Sequence, residues 1–103
     1  MYRVAVLLAT SMLIASARAA SPGPPKFDIN AACRDAAATH AAATRADAIK
    51  SCLESENKAR KEVEEKWLRY DPALRAACVS SSSIGGVKPV YSELISCIEV
   101  KAH

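Results

Sequence analysis

The chain has 103 residues, 50% of them hydrophobic, 24% charged and 5% aromatic, with a formal net charge of +3. A length near 100 supports one domain and excludes the eight-stranded α/β barrel and other large enzyme scaffolds. So small a positive charge, with acids and bases interleaved, leaves no electrostatic footprint for nucleic acid.

The first residues differ in character from the rest. Arg3 precedes an apolar run from Val4 to Ile14, broken only by Thr10 and Ser11, and small residues follow up to Ala20. A charged start, a short apolar core and a small-x-small site describe a secretory signal peptide. Ala17 and Ala19 suit the minus-three and minus-one positions, so cleavage is expected after Ala19. A membrane anchor is the competing reading, but the apolar run is well short of the ~20 residues that a span needs. The expected organisation is therefore a signal peptide at 1–19, a flexible Pro-rich lead-in at 20–27 and one helical domain at 28–103. Arg3 and Arg18 leave with the leader, so the remaining chain is close to neutral, with a net charge of +1. Alanine and cysteine aside, only 18 apolar side chains remain after residue 19. A domain of this size with so few large apolar groups needs covalent staples.

Between Pro25 and Pro72 there is no proline or glycine, and alanine, glutamate, lysine and arginine dominate. That composition predicts helix. Asp28 can cap a first helix from Ile29 to about Ala42. Thr44-Arg45-Ala46-Asp47 has the form of a capping box and suggests a second start there, with one unbroken helix from Asp28 to Tyr70 as the alternative. The second helix, Arg45 to Tyr70, offers the i,i+4 pairs Glu54–Lys58, Glu56–Arg60, Glu62–Lys66 and Glu65–Arg69. Its apolar residues, Ile49, Cys52, Leu53, Val63, Trp67 and Tyr70, cluster near the two ends, so its middle is expected to be solvated. Asp71-Pro72 sets up a short helix to about Val79. Ser80 to Lys88, with Gly85-Gly86, reads as a flexible loop. A last helix from Pro89 presents Val90, Tyr91, Leu94, Ile95 and Ile98 to a core. The predicted fold is all-α, three to four helices in disulfide-stapled hairpins.

Cys33, Cys52, Cys78 and Cys97 are spaced C-x18-C, x25, C-x18-C. An even number of cysteines in an exported chain favours disulfides, and nothing here has the close ligand pairs of a zinc site. Four cysteines allow three connectivities. The midpoint of Cys33 and Cys52 falls on the first predicted turn, and that of Cys78 and Cys97 at the end of the Ser-Gly loop, so each pair is placed to staple a hairpin. A Cys52–Cys78 bond fits worse, since Cys52 lies roughly 27 Å of helix before Tyr70 and Cys78 about 12 Å beyond it. Cys33–Cys52 and Cys78–Cys97 are preferred.

Few residues offer chemistry. As a catalytic base His40 would need a nucleophile or carboxylate brought to it, and nothing local does that; an exposed helix-end histidine is the competing reading. Ser80 to Ser83 lack the G-x-S-x-G elbow, and Gly85-Gly86 lacks the lysine of a phosphate loop. Glu62, Glu64 and Glu65 sit on a charge-alternating, solvated helix face. Trp67 and Tyr70, one turn apart, together with Arg75 and Tyr91, are the candidate binding residues, with core packing as the competing reading for the aromatics. No catalytic residue, cofactor or metal is expected. The partner is expected to be an unidentified protein of the envelope, with no nucleic acid and no stable membrane insertion once the signal is removed. The other class of reading is a small secreted hydrolase or thiol-redox protein, against which the absence of C-x-x-C counts.

The chain resembles the small exported four-cysteine helical proteins of rhizobia and related alphaproteobacteria. The likeness rests on Lys26-Phe27-Asp28 before Cys33, on Cys52 with Glu54 and Glu56, and on Trp67, Tyr70, Arg75 and Cys78. It is most specific in the tail, with Pro89, Tyr91, Glu93-Leu94, Cys97 and Glu99. Where those proteins read Tyr-Val-Glu-Leu-Leu, this chain has Tyr91-Ser92-Glu93-Leu94-Ile95. The resemblance implies an envelope location and a compact helical domain, and brings no activity. A fainter likeness, through Trp67, Arg75 and Cys78 at a different spacing, is to an exported bacterial family that includes lysozyme inhibitors.

Overall fold

The computed structural model describes residues 23–103; the expected signal peptide and the start of the lead-in lie outside the described residues. Four α-helices follow one another: α1 (Ile29–Ala37), α2 (Ala42–Lys66), α3 (Pro72–Ser81) and α4 (Tyr91–Lys101). Single 3-10 turns at Trp67–Arg69 and Ile84–Gly86 join them, and the described residues contain no strand. The fold is all-α and disulfide-bonded.

α1 starts where Asp28 accepts the Ala31 amide proton on its side chain, at 3.1 Å. It ends at Ala37, earlier than its alanine-rich sequence suggests, because the chain must reverse to bring Cys33 back to Cys52. The break falls at residues 38–41. Thr44 therefore lies inside α2, and its hydroxyl donates to the Ala41 carbonyl at 3.2 Å, so the expected capping box does not form. The alternative of one helix through to Tyr70 is also excluded. Asp71 caps α3 as expected, accepting from the amides of Ala73 and Leu74 at 2.8 and 3.2 Å. α3 runs two residues past its expected end, and the Ser81 and Ser82 hydroxyls fold back onto the Cys78 and Val79 carbonyls.

Two antiparallel hairpins result. Cys33 is bonded to Cys52 across α1 and α2, and Cys78 to Cys97 across α3 and α4, with Cα separations of 5.6 and 5.7 Å. α4 lies along the C-terminal half of α2 and runs in the same direction. Its first residues meet Glu56, and Glu99 lies within electrostatic reach of Lys66 and Tyr70. The core forms on this seam: Ala59, Val63 and Trp67 of the α2 side face Tyr91, Leu94 and Ile98 of α4, with Ile29 and Cys78 completing it. The steps of three and four residues in each set are those of one helix face packed on another.

This corrects the expected solvated middle of α2. Ala59 is buried, its small side chain letting α4 approach, and Glu56 beside it is only 5% exposed. Of the expected ion pairs, Glu62–Lys66 forms at 2.8 Å, whereas Arg60 turns to Glu64 at 3.8 Å because Glu56 is engaged by α4.

Candidate functional site

Three of the four candidate binding residues meet at the corner where α2 gives way to α3. The 3-10 turn places Trp67 and Tyr70 edge to face, with ring centroids 6.3 Å apart. One turn into α3, Arg75 folds back over Trp67. Its Nη1 donates to the Trp67 carbonyl at 3.1 Å, and its guanidinium carbon sits 5.2 Å from the centre of the Trp67 ring. Trp67 is 5% exposed, so it packs the core first. The Tyr70 ring is half-buried, and its hydroxyl oxygen is out of contact with solvent and has no hydrogen-bond partner. Burial, reinforced by Glu62 and Glu99, raises the Tyr70 pKa above the ordinary phenol value, against a smaller opposing effect of Lys66. The hydrogen bond and charge of Glu62 raise that of Lys66.

Tyr91 is not part of this corner. It is 2% exposed, its ring packed on Phe27 with centroids 4.8 Å apart. Its hydroxyl accepts from the Phe27 amide and donates to the Pro25 carbonyl, both at 3.0 Å. Tyr91 thus packs the core and ties the lead-in to α4. Of the lead-in expected to be flexible, residues 25–27 are held against α4 by these contacts.

Among the described residues, Glu56 is the buried charged residue, and sequence reasoning missed it. α4 has Val90 at its N-cap, which offers no side-chain acceptor. Glu56 supplies one from the neighbouring helix: Oε1 accepts from the Tyr91 and Ser92 amides at 2.6 and 3.2 Å, and Oε2 from the Ser92 hydroxyl at 2.6 Å. A carboxylate there also faces the positive end of the helix dipole. This arrangement positions a helix; it leaves no carboxylate oxygen aimed at a cleft.

Several grooves flank the core. One, of about 520 Å³, is lined by the lead-in with Ile29, Arg60, Glu64 and Tyr91. Another, of about 500 Å³, lies at the corner between the lead-in and α3, lined by Gly23, Pro25, Trp67, Pro72, Arg75, Ala76, Val79 and Ser80. A third, of about 660 Å³, lies between α1 and the α3–α4 loop, with Ala32 and Ala36 on one wall and the Cys78–Cys97 bond on the other. Its rim carries Ile84 and Val87, 73% and 69% exposed, large apolar groups that the reading of this segment as a loop overlooked. Gly85 and Gly86 adopt φ of 83° and 74°, a region that favours glycine, and so shape the turn that holds these two residues outward. Lys88 Nζ ties the loop to α1 through Asp35, at 2.7 Å.

The remaining candidates do not converge. His40 is exposed, Ser81 and Ser82 bond to helix carbonyls, and Glu62, Glu64 and Glu65 lie along α2 with Glu62 paired to Lys66. Among the described residues no group of three or more His, Cys, Asp or Glu side chains could hold a metal ion. None of the described helices is long and apolar enough to cross a membrane. Comparisons with protein-family models, with curated proteins and with solved structures find no match to the chain.

Proposed function

We propose that the chain is a small exported protein of the bacterial envelope, periplasmic or released, that acts without catalysis by presenting a surface to a protein partner, as a binding, inhibitory or accessory factor. The observation that carries this reading is the placement of Ile84 and Val87. Both are held outward at the rim of a groove, on a loop fixed by a disulfide and by the Lys88–Asp35 pair. Exposed apolar groups on a stapled element are what a contact surface requires, because little ordering entropy is lost on binding. Export is supported by the pairing of all four cysteines, since disulfides persist in oxidising compartments. The leader-like first 19 residues and the resemblance to exported four-cysteine proteins point the same way. After leader removal the chain stays out of the bilayer on this reading.

The test is photo-crosslinking in intact envelopes. A photoreactive side chain at Val87 is expected to capture a discrete protein that unlabelled chain competes away. One at Glu65, on the outer face of α2, is expected to capture none. Equal adduct patterns from the two positions would overturn the contact reading. Recovery of the protein from the cytoplasm with four titratable thiols would overturn the export reading.

A further inference from the structure

The corner groove carries a separate inference, independent of the Ile84–Val87 surface. We propose that it binds a small apolar carboxylic acid, with the apolar chain along Trp67, Pro72, Ala76 and Val79 and the carboxylate on Arg75.

The lining of the groove is apolar on the lead-in side, through Pro25, and on the α3 side, through Pro72, Ala76 and Val79. Arg75 is the one charged side chain among its described lining residues. A guanidinium in such surroundings has lost part of its hydration, and a ligand anion restores the interaction at close range. Arg75 is also already oriented. One of its N–H groups is fixed on the Trp67 carbonyl and its plane is carried over the indole, so the planar fork presents its other donors without first being ordered.

The polarity of the lining discriminates between carboxylate sources. The end of a peptide chain brings amide N–H and C=O groups that need partners when buried. Besides Arg75, the described lining residues offer two polar side-chain groups, the Ser80 hydroxyl and the Trp67 indole N–H, too few to serve a buried peptide backbone. An alkyl or aryl acid brings no such groups. A groove of about 500 Å³ is of the size that takes a small molecule.

Calorimetric titration of the oxidised protein with decanoate tests the assignment, with decanol, decyltrimethylammonium and a short peptide ending in leucine as comparisons. Decanoate is expected to saturate a single site and to bind at least tenfold more tightly than any of the three. Arg75→Gln should weaken decanoate at least tenfold and leave decanol unchanged. Ala76→Trp, at an exposed lining position, fills the groove and keeps Arg75, and should abolish decanoate binding while the thermal unfolding midpoint stays within a few degrees of the parent. The proposal is overturned if decanoate does not saturate, if decanol binds as tightly, if the peptide binds more tightly, or if a folded Arg75→Gln or Ala76→Trp protein binds decanoate like the parent.

Discussion

α4 has a valine, Val90, at its N-cap, and the acceptor for its first amide protons comes from another helix. Glu56→Ala would leave the Tyr91 and Ser92 donors without that partner, and the loss expected is about 1–3 kcal/mol. Glu56→Gln keeps an acceptor oxygen and loses the charge, so it should fall between the parent and the alanine variant. Urea unfolding followed by Trp67 fluorescence measures both. Nothing in the local sequence discloses this role. Glu56 has Arg60 four residues on, and the partner that engages it, Tyr91, is 35 positions away. Tyr70 presents the opposite case, a buried hydroxyl with no partner. Its pKa is raised in the folded state, so the folded protein holds the phenol proton more tightly than the unfolded chain does. The contribution to stability is therefore complete below the ordinary value of about 10 and is lost as pH rises through the folded-state value. Lys66, held protonated by Glu62, has the same sign: its contribution is complete below the ordinary lysine value and lost above it. Tyr70→Phe should leave stability at pH 7 unchanged or higher, and make its decline in alkali shallower. A steeper alkaline decline in the variant would contradict the geometry.

At the scale of the elements, α1 depends most on covalent support. A helix of nine residues does not persist alone in water, and Cys33–Cys52 holds α1 against α2. Replacing both cysteines by serine should cost roughly 3 kcal/mol, with the chain-entropy account as the basis. The α1 amides should then exchange with solvent well before those of the α2–α4 seam, which hydrogen exchange resolves. Element existence was legible because the proline- and glycine-free stretch and the Asp28 and Asp71 caps are local signals. The α1–α2 break was legible only approximately. Thr44 and Asp47 have the spacing of a capping box, but the helix starts at Ala42, where no side chain caps it. The ring closed by Cys33 and Cys52 sets the position of the reversal, and that is a constraint between distant residues.

At the scale of the molecule, the two hairpins are joined by the corner at residues 67–71 and by the packing of α4 on α2. Trp67, Tyr70 and Arg75 could be picked out together from the sequence because all three lie within nine residues of chain. Tyr91 could not be placed, because its hydroxyl partners, Pro25 and Phe27, are more than sixty positions away. Ile84 and Val87 escaped notice for a different reason. Two glycines beside them mark a turn but do not say which way the flanking side chains point.

Both disulfides close rings within a hairpin, and neither crosses between hairpins. Under mechanical load this divides the protein into locked and extensible parts. Pulling the oxidised chain by its ends draws tension through the sulfur bridges and shields the residues inside each ring. The stretch that can pay out between the rings is 53–77, about 25 residues or roughly 85 Å at full extension. The α2–α4 seam should therefore yield in one rip of about that contour length, less the folded distance between Cys52 and Cys78, and only reduction should release the rest.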